Sequence, residues 1–264
     1  MKIRACIFDL GGTIVDRYSR TPFISLKNTF NKYGIILSDK LIYKDMGMYK
    51  LNHIQEIMKN PYIKSIWKRK HGIYPSKKEE FILYSDFIET QKINSLEHLD
   101  IIPETKRCIN YLKNNDIKIG VTTGFNQDIM NIIKNMLDDN NILIDSYVSS
   151  TCLREPSRPN PSMILENLER LNIKSPKNVI KIDDTCVGIE EGKNAGCITV
   201  GVSRWSTYMK ICDLNDEKNL TLEKLKKRND ESKYLLKKAN PNYLITTLKE
   251  IPNVIKDINN KFDS

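Results

Sequence analysis

The spacing of apolar and polar positions divides the chain into three stretches. Residues 2–8 are a short, largely apolar run, which predicts a buried β-strand. Residues 17–95 carry apolar side chains three and four positions apart, and this amphipathic spacing predicts an almost wholly helical block. From about residue 100 onward, short apolar runs alternate with amphipathic segments, which predicts strands that alternate with helices.

The alternating part of the chain predicts a parallel sheet. Its predicted strands are "IKIGVTT", "SYVSS", "NVIKIDD", "CITVGV" and "NYLI", and its predicted helices span 103–114, 126–137, 161–171, 187–194 and a last segment that ends near 260. Strand–helix alternation with short connections is typical of a sheet with helices on both faces. We therefore predict an α/β fold with a doubly wound, mostly parallel sheet in a core domain of residues 1–16 and 97–264.

The helical block interrupts this pattern directly after the first strand. Its amphipathic segments are "TPFISLKNTFNKYGI", "SDKLIYKDMGMYKLNHIQEIMKN", "NPYIKSIWKRKHG" and "SKKEEFILYSDFIETQKI". Ligands bind to such sheets at the carboxyl ends of the strands, and the block is inserted at that edge. We predict that residues 17–96 form an inserted α-helical cap domain above this edge.

Composition excludes several classes of protein. The chain has 264 residues, of which 40% are hydrophobic, so it can build one large domain or a core with an inserted module. Its six cysteines show neither a CxxC motif nor a zinc spacing, which predicts reduced thiols in a cytoplasmic protein. Neither a secretion signal nor an apolar run of about 18 residues is present, so we expect no membrane partner.

The formal net charge of +9 does not by itself indicate a nucleic-acid partner. The lysines are spread along the chain, and the densest run, "EKLKKRNDESKYLLKK", contains interleaved acidic residues. This arrangement is typical of a solvated helix face. The basic residues are not interleaved with aromatic residues in any nucleic-acid motif, so we predict no nucleic-acid binding.

The stretch "FDLGGT" contains the first candidate for chemistry. Asp9 follows the predicted first strand, and Gly11 and Gly12 allow backbone N–H groups to approach a phosphate closely. A carboxylate at this point can attack phosphorus, although an aspartate that only caps a turn has the same pattern. Position 11, two residues after Asp9, carries a glycine and no acid.

Two further strand ends carry polar side chains. Thr122 and Thr123 end one strand and offer hydroxyls to a phosphate oxygen, although threonines there usually bond within the protein. Asp183 and Asp184 end another strand, where adjacent carboxylates repel each other unless a cation lies between them. Hard oxygen ligands favour Mg²⁺, shared with Asp9. A helix N-cap is the alternative interpretation of this pair.

Two cationic side chains complete the candidate site. Arg158 lies between prolines in "SRPNPS", where a guanidinium can clamp a phosphate or simply be solvated. In "MGMYKLNHI", the positions of Met46, Lys50 and His53 place them on one face of a predicted helix. A lysine on this mostly apolar stripe is expected to have a lowered pKa, unless it snorkels to solvent. A histidine at this spacing is more often packed in a core than catalytic.

The motifs taken together resemble those of the phosphonoacetaldehyde hydrolase (phosphonatase) family, a branch of the haloacid dehalogenase superfamily. The resemblance spans nearly the whole chain and rests on "FDLGGTIVD", "MGMYKLNHI", "IKIGVTTGF", "SRPNPSM", "IKIDDTCVGIEEGKNAGCITVGV" and "ANPNYLITTLKEIPNVI". It implies a hydrolase that cleaves the C–P bond of phosphonoacetaldehyde to acetaldehyde and phosphate. It also implies a homodimer that forms through the caps.

The resemblance implies a role for each candidate residue. Asp9 is expected to become an aspartyl-phosphate, and Lys50 to form a Schiff base with the aldehyde. The expected Mg²⁺ ligands are Asp9, the carbonyl of Gly11 and Asp184, with Asp183 as a further acid. Phosphonate-binding groups are expected to be Thr122, Thr123, Gly12 and Arg158, while Met46 shapes the imine site and His53 is a candidate proton shuttle.

Phosphatases of this superfamily usually carry an acid two residues after the nucleophile, where it protonates the leaving oxygen. An imine explains why no acid is needed at position 11 for cleavage of a C–P bond. When a C–P bond breaks, carbon keeps the electron pair, and a protonated imine on Lys50 can accept it as an enamine. The chain departs from the family pattern at Gly11, Ser19, Phe125, Gly188 and the loop "SRWSTYMKICDL". Two other functions stay open, namely a phosphatase or mutase of the same superfamily and a non-catalytic binding protein.

Overall fold

The core of the molecule is a parallel sheet of six strands. The structure, a computed structural model, describes residues 2–152 and 158–263. The strands are β1 (Ala5–Phe8), β2 (Lys118–Thr123), β3 (Ser146–Ser149), β4 (Val179–Asp183), β5 (Ile198–Val202) and β6 (Tyr243–Ile245). Their order across the sheet is β3-β2-β1-β4-β5-β6, and every neighbouring pair is parallel. The predicted α/β fold class is therefore confirmed.

Twelve α-helices surround or cap this sheet within the described residues. Those of the inserted block are α1 (Arg20–Lys32), α2 (Asp39–Lys44), α3 (Lys50–Lys59), α4 (Pro61–His71) and α5 (Lys77–His98). Those that follow are α6 (Thr105–Asn114), α7 (Gln127–Asp139), α8 (Ser162–Arg170), α9 (Cys186–Asn194), α10 (Leu214–Lys218), α11 (Leu222–Lys237) and α12 (Ile251–Asp263). The division into domains at 16/17 and 96/97 stays a prediction.

Local signals in the sequence set the helix ends in the inserted block. The side chain of Asn60 accepts hydrogen bonds from the first turn of α4, and Pro61 occupies the first helical position, where no N–H is needed. Gly72, with a φ of 77°, ends the same helix in the left-handed conformation. Ser76 and Glu79 form a capping box at the start of α5.

Two separate apolar clusters account for most of the buried surface. The larger lies between the sheet and its flanking helices and includes Phe8, Val121 and Ile182. The second lies entirely among the helices of the inserted block and includes Phe30 and Trp67. Because the inserted helices bury their apolar faces against one another, they form a packed unit of their own beside the sheet.

One predicted helix is interrupted in the structure. The sequence predicted an amphipathic helix across 38–60, but α2 ends at Lys44 and α3 begins only at Lys50. Gly47 lies in the break with a φ of 95°. A Cβ at this position would lie 3.1 Å from Val187 and 3.2 Å from Thr185, so the break brings the inserted block against the start of α9. The prediction that Met46 shares a helical face with Lys50 is therefore wrong.

Three expectations from composition and charge can be compared with the structure. All six cysteines are free thiols. In the part of the chain that the structure describes, none of the helices is long and apolar enough to span a membrane. The basic run that starts with "EKLKKRND" lies in α11. Most residues of this helix are exposed or half-buried, as expected for a solvated helix face.

Candidate active site

A cleft lies at the carboxyl end of β1, where the direction of the chain connections across the sheet reverses. Phe8 pairs with Val121 on one side and with Ile182 on the other. The three residues that follow them therefore lie side by side at this edge of the sheet. These next residues are Asp9, Thr122 and Asp183. The cleft is lined by Asp9, Gly11, Ser19, Pro22, Met46, Gly47, Met48, Lys50, Thr123, Gly124, Phe125, Arg158, Asp184, Thr185 and Thr207.

Three buried carboxylates crowd together on the sheet side of the cleft. Asp9, Asp183 and Asp184 each place one oxygen within 4.8 Å of the others. Burial and then the charges of Asp9 and Asp183 raise the pKa of Asp184 well above its usual value, and burial raises the pKa of Asp9 to about 6. Oδ1 of Asp184 has no hydrogen-bond partner among the described residues. These oxygens fit a hard divalent cation, which would relieve the repulsion.

Glycines make room for these carboxylates. Gly12 has a φ of 75°, and a Cβ there would lie 2.5 Å from Oδ2 of Asp184. A Cβ on Gly188 would lie 1.9 Å from Oδ2 of Asp183, so the carboxylate of Asp183 fills the space that a side chain at 188 would need. Thr185 is the N-cap of α9, so neither aspartate has the capping role that the sequence left open.

Arg158 lies at the centre of the charge network. Its Nη1 donates to Oδ1 of Asp9 at 2.8 Å, and its Nη2 donates to the carbonyl and hydroxyl of Thr122 at 2.9 and 2.7 Å. Its Nε donates to Oε2 of Glu191 at 2.8 Å. Burial alone lowers the pKa of Arg158, but the surrounding carboxylates, Glu191 first, more than offset this and raise it. Arg158 therefore stays charged beside Asp9.

The two threonines at the end of β2 face different surroundings. Thr123 lines the cleft, and its hydroxyl accepts a hydrogen bond from the backbone N–H of Phe125 at 3.1 Å. Thr122 is fully buried and does not line the cleft. Its hydroxyl is already engaged by Arg158 at 2.7 Å and by Lys181 at 2.6 Å. The alternation of side chains along a strand explains the difference, and of the two threonines only Thr123 lines the cleft.

The inserted block contributes the opposite wall of the cleft. Met46 and Lys50 both line it, although only Lys50 lies on α3. The Lys50 side chain as a whole is partly exposed, but desolvation around its amine lowers its pKa to about 8, while Asp9 acts in the opposite direction. Among the described residues, its Nζ donates a single long hydrogen bond of 3.4 Å, to the carbonyl of Met48. A fraction of the amine is therefore neutral near pH 7.

His53 is not brought to the wall of the cleft. It lies one turn after Lys50 on α3 and is fully buried. Burial, and then the charge of Lys50, lower the pKa of His53 well below its usual value, while the carbonyl of Ile42 acts weakly in the opposite direction. Neither ring nitrogen makes a hydrogen bond of standard geometry with the described residues. His53 is therefore a neutral ring packed beside the lysine.

The structure adds residues that the sequence analysis did not identify. Lys181 on β4 and Glu191 on α9 are fully buried and contact Thr122, Arg158 or both. Thr207 lines the cleft and donates its backbone N–H to Oδ2 of Asp184 at 3.0 Å. A signal for Lys181 was available, because a lysine inside the buried strand "NVIKIDD" needs a partner. Thr207 begins a short 3-10 helix, Thr207–Met209, after β5 and has no such signal.

This combination of a parallel sheet, a clustered set of aspartates and an inserted helical block defines a class of hydrolase. A family model described as "Haloacid dehalogenase-like hydrolase" matches residues 6–202. A predicted phosphoglycolate phosphatase from Haemophilus somnus shares the fold, with a TM-score of 0.71 at 14% identity over 96% of this chain and 98% of that one.

More similar relatives narrow this class. A phosphonoacetaldehyde hydrolase from Psychromonas ingrahamii is 33% identical over 97% of this chain and 87% of its own length. One from Lysinibacillus sphaericus is 31% identical over 98% and 96%. The solved structure of a phosphonoacetaldehyde hydrolase-like protein from Oleispira antarctica superposes with a TM-score of 0.93 at 27% identity, over 99% of this chain and 94% of that one. The chain is an enzyme that belongs to the phosphonoacetaldehyde hydrolase family of these hydrolases.

Proposed function

We propose that this enzyme hydrolyses the C–P bond of phosphonoacetaldehyde and releases acetaldehyde and phosphate. The observation that carries the proposal is that Asp9 and Lys50 line one small cleft from opposite sides. The space in the cleft is about 60 Å³, which suits a molecule of a few heavy atoms. A carboxylate nucleophile on the sheet and an amine from the inserted block can therefore act on the two ends of one short substrate.

The surroundings of Gly11 support C–P cleavage over cleavage of a phosphate ester. A Cβ at Gly11 would lie 3.5 Å from the ring of Phe125 and 3.5 Å from Oγ of Ser19. Neither of these neighbours is a carboxylic acid that could protonate a leaving oxygen. Lys50 provides a different solution, because a protonated imine accepts the electron pair that the breaking C–P bond leaves on carbon.

The proposed reaction proceeds in two covalent stages. The neutral amine of Lys50 attacks the aldehyde carbon, and loss of water followed by uptake of one proton gives a protonated imine. A carboxylate oxygen of Asp9 then attacks phosphorus as the C–P bond breaks. The electron pair of the C–P bond moves into the C–C bond and gives an enamine on Lys50. Protonation at carbon and hydrolysis release acetaldehyde and Lys50. Water then cleaves the aspartyl-phosphate to phosphate and restores Asp9.

Side chains around Asp9 are suited to the charge on the phosphoryl group. Arg158 already donates to Asp9 from Nη1, so the same guanidinium lies beside the point of attack. Thr123 and the backbone at Gly12 are the further phosphonate-binding candidates that we retain. We propose Thr123 rather than Thr122 as the threonine that contacts substrate, because Thr122 is fully buried outside the cleft. His53 stays a candidate proton shuttle through its position beside Lys50.

The acidic cluster is proposed to bind Mg²⁺. Asp9, Asp184 and the carbonyl of Gly11 are the candidate ligands, and Asp183 lies close enough to be a further one. When bound, Mg²⁺ supplies positive charge to the nucleophile and to the phosphoryl oxygens. Asp184 is held for this purpose by the N–H of Thr207 at Oδ2, and Oδ1 remains for a ligand.

We also propose a homodimer and a cytoplasmic location. Large apolar side chains are exposed on the inserted block, including Ile36, Tyr62, Tyr74 and Phe81, which are more than half exposed. A second copy of the chain would cover such a surface. The six free thiols suit a reducing compartment. Analytical ultracentrifugation of the purified protein tests the dimer directly.

Reductive trapping tests the proposed imine. Borohydride added with phosphonoacetaldehyde is expected to leave an ethyl or phosphonoethyl adduct on Lys50, which mass spectrometry of peptides locates. Lys50→Arg is expected to lose the adduct and at least about 10³-fold of the turnover, since a covalent step cannot be bypassed. Lys59 is an exposed lysine on the same helix, so Lys59→Arg is the matched control and is expected to behave like the wild type.

Two outcomes would contradict the proposal. Substantial release of acetaldehyde and phosphate by Lys50→Arg would exclude the imine route. Wild-type protein that escapes modification but frees phosphate from small phosphate esters would instead support a phosphatase of the same superfamily.

A further inference from the structure

A fully buried group of polar side chains lies beneath Arg158, outside the cleft. Its members are Thr122 on β2, Lys181 on β4 and Glu191 on α9, each with no exposed surface. Nζ of Lys181 donates to the hydroxyl of Thr122 at 2.6 Å and lies 3.4 Å from Oε2 of Glu191. It also lies 3.0 Å from Oδ2 of Asp183. Glu191 in turn accepts from Arg158.

The chain is shaped to hold a lysine at this place. β4 is buried along its whole length, where a charged side chain is costly unless it is well paired. A Cβ on Gly192 would lie 2.8 Å from both Cβ and Cγ of Lys181, so this glycine of α9 makes room for the stem of the lysine. Glu191 is its neighbour on the same helix. α9 therefore supplies both the space and a counter-charge.

The contacts of the Arg158 guanidinium differ between its nitrogen atoms: Nε and Nη2 are bound on the side away from the cleft, and Nη1 faces Asp9. Glu191 accepts from Nε, and Thr122 accepts from Nη2 through its carbonyl and its hydroxyl. Nη1 is left to point at Asp9 and the cleft. Because a guanidinium is planar, fixing Nε and Nη2 fixes the direction of Nη1 as well. Lys181 contacts neither the cleft nor Arg158. It contacts Thr122 and Glu191, which are the two residues that orient Arg158.

We propose that Lys181 and Glu191 are positioning residues that orient Arg158 toward the phosphoryl group. The inference rests on the proposed function, in which Arg158 contacts phosphoryl oxygens. The simpler explanation is that the pair only balances charge in a packed interior. The two explanations differ in one respect: a positioning pair loses its effect on phosphate binding once Arg158 is gone, whereas a merely structural pair does not.

A double-mutant cycle on phosphate binding separates them. The variants are Glu191→Gln, Arg158→Met and the two combined, and the probe is inorganic phosphate in the presence of Mg²⁺, measured by titration calorimetry. Glu191→Gln keeps the size of the side chain but removes the charge that holds Nε. We expect it to weaken phosphate binding about tenfold or more in the wild-type background, and less than about twofold when Arg158 is already Met.

Lys181→Met provides an independent measurement in the same assay. It is expected to weaken phosphate binding by a similar factor, because Glu191 and Thr122 each lose one of the partners that hold them in place. Two exposed residues are the controls: Glu190→Gln on α9, the helix of Glu191, and Lys118→Met on β2, the strand of Thr122. Both are expected to bind phosphate within about twofold of the wild type. Thermal unfolding, followed in parallel, shows which variants are folded.

The proposal fails if Glu191→Gln weakens phosphate binding equally with Arg158 and with Met at 158, if it binds phosphate as the wild type does, or if the wild type binds none. Phosphate binding requires no C–P cleavage, so the cycle is independent of the proposed reaction. A cycle that behaves as expected in a protein that does not hydrolyse phosphonoacetaldehyde would overturn the proposed function and leave the positioning role intact.

Discussion

At the scale of single residues, the amine of Lys50 sets the pH range of the first covalent step. Its pKa is lowered to about 8, mainly by burial, so only a minority of the amine is neutral at pH 7. Only the neutral amine attacks an aldehyde. The rate of imine formation should therefore rise about tenfold for each pH unit below 8 and level off above it.

Single-turnover trapping with borohydride at saturating Mg²⁺, between pH 6 and pH 10, measures this profile. The lowered pKa predicts a midpoint near pH 8. A rate that continues to rise to pH 10 or beyond would show that Lys50 has the ordinary pKa of an exposed lysine, and the interpretation of its environment would be wrong. Lys59, which is well exposed, is the internal control, and its slower labelling should still be rising at pH 10 rather than levelling off above pH 8.

At the scale of elements, the break between α2 and α3 forms part of one wall of the cleft. Gly47, Met48 and Lys50 all line the cleft, and Gly47 also approaches Thr185 and Val187 at the start of α9. The break therefore couples the position of the inserted block to the edge of the sheet that carries the aspartate cluster. A side chain at 47 would separate the two.

Gly47→Ala tests this coupling. Its φ of 95° makes any side chain strained, and the added Cβ would meet Val187 at 3.1 Å. We expect kcat/KM for phosphonoacetaldehyde to fall about tenfold or more. Gly72→Ala is the matched control, because Gly72 has a φ of 77° but nothing within 4 Å of the added Cβ. It should lose about 1 kcal/mol of stability and little activity. Equal activity losses in the two variants would contradict the coupling.

The elements were predictable from periodicity, and the break was not. Each strand from β2 to β6 lies within an apolar run that the sequence marks, and the ends of α4 and α5 carry recognisable caps. The spacing of Met46, Lys50 and His53 suited a helix equally well. What ends that helix is a contact between Gly47 and residues about 140 positions later in the chain, which no local pattern encodes.

The candidate site was predictable to a similar extent. Strand ends identified Asp9, Asp183 and Asp184, because parallel strands bring their carboxyl ends together. The choice between Thr122 and Thr123 depends on which side of β2 faces the cleft, and adjacent threonines give no signal for that. Glu191 lies among charged residues in "GIEEGKNAG", where only the flanking glycines indicate the face that meets the sheet.

At the scale of the whole molecule, a basic protein carries an acidic centre. The chain has a net charge of +9, yet at and beneath the cleft four buried carboxylates of the described residues face two fully or nearly buried cations. The carboxylates are Asp9, Asp183, Asp184 and Glu191, and the cations are Arg158 and Lys181. With every group ionised, two negative charges are in excess. A bound Mg²⁺ would balance them, so metal binding and folding should be coupled.

This coupling predicts the behaviour of Asp184→Asn. An amide keeps an oxygen for the N–H of Thr207 and removes one charge from the cluster, so the variant should be more stable than the wild type in EDTA. Mg²⁺ at a hundred times its Kd should stabilise the wild type by about 2.7 kcal/mol, and the variant by much less. Thermal unfolding with and without Mg²⁺ measures both effects, with the exposed Asp139→Asn as the control. An equal rise of Tm with Mg²⁺ in wild type and Asp184→Asn would remove Asp184 from the proposed site, because the excess charge would then be balanced elsewhere.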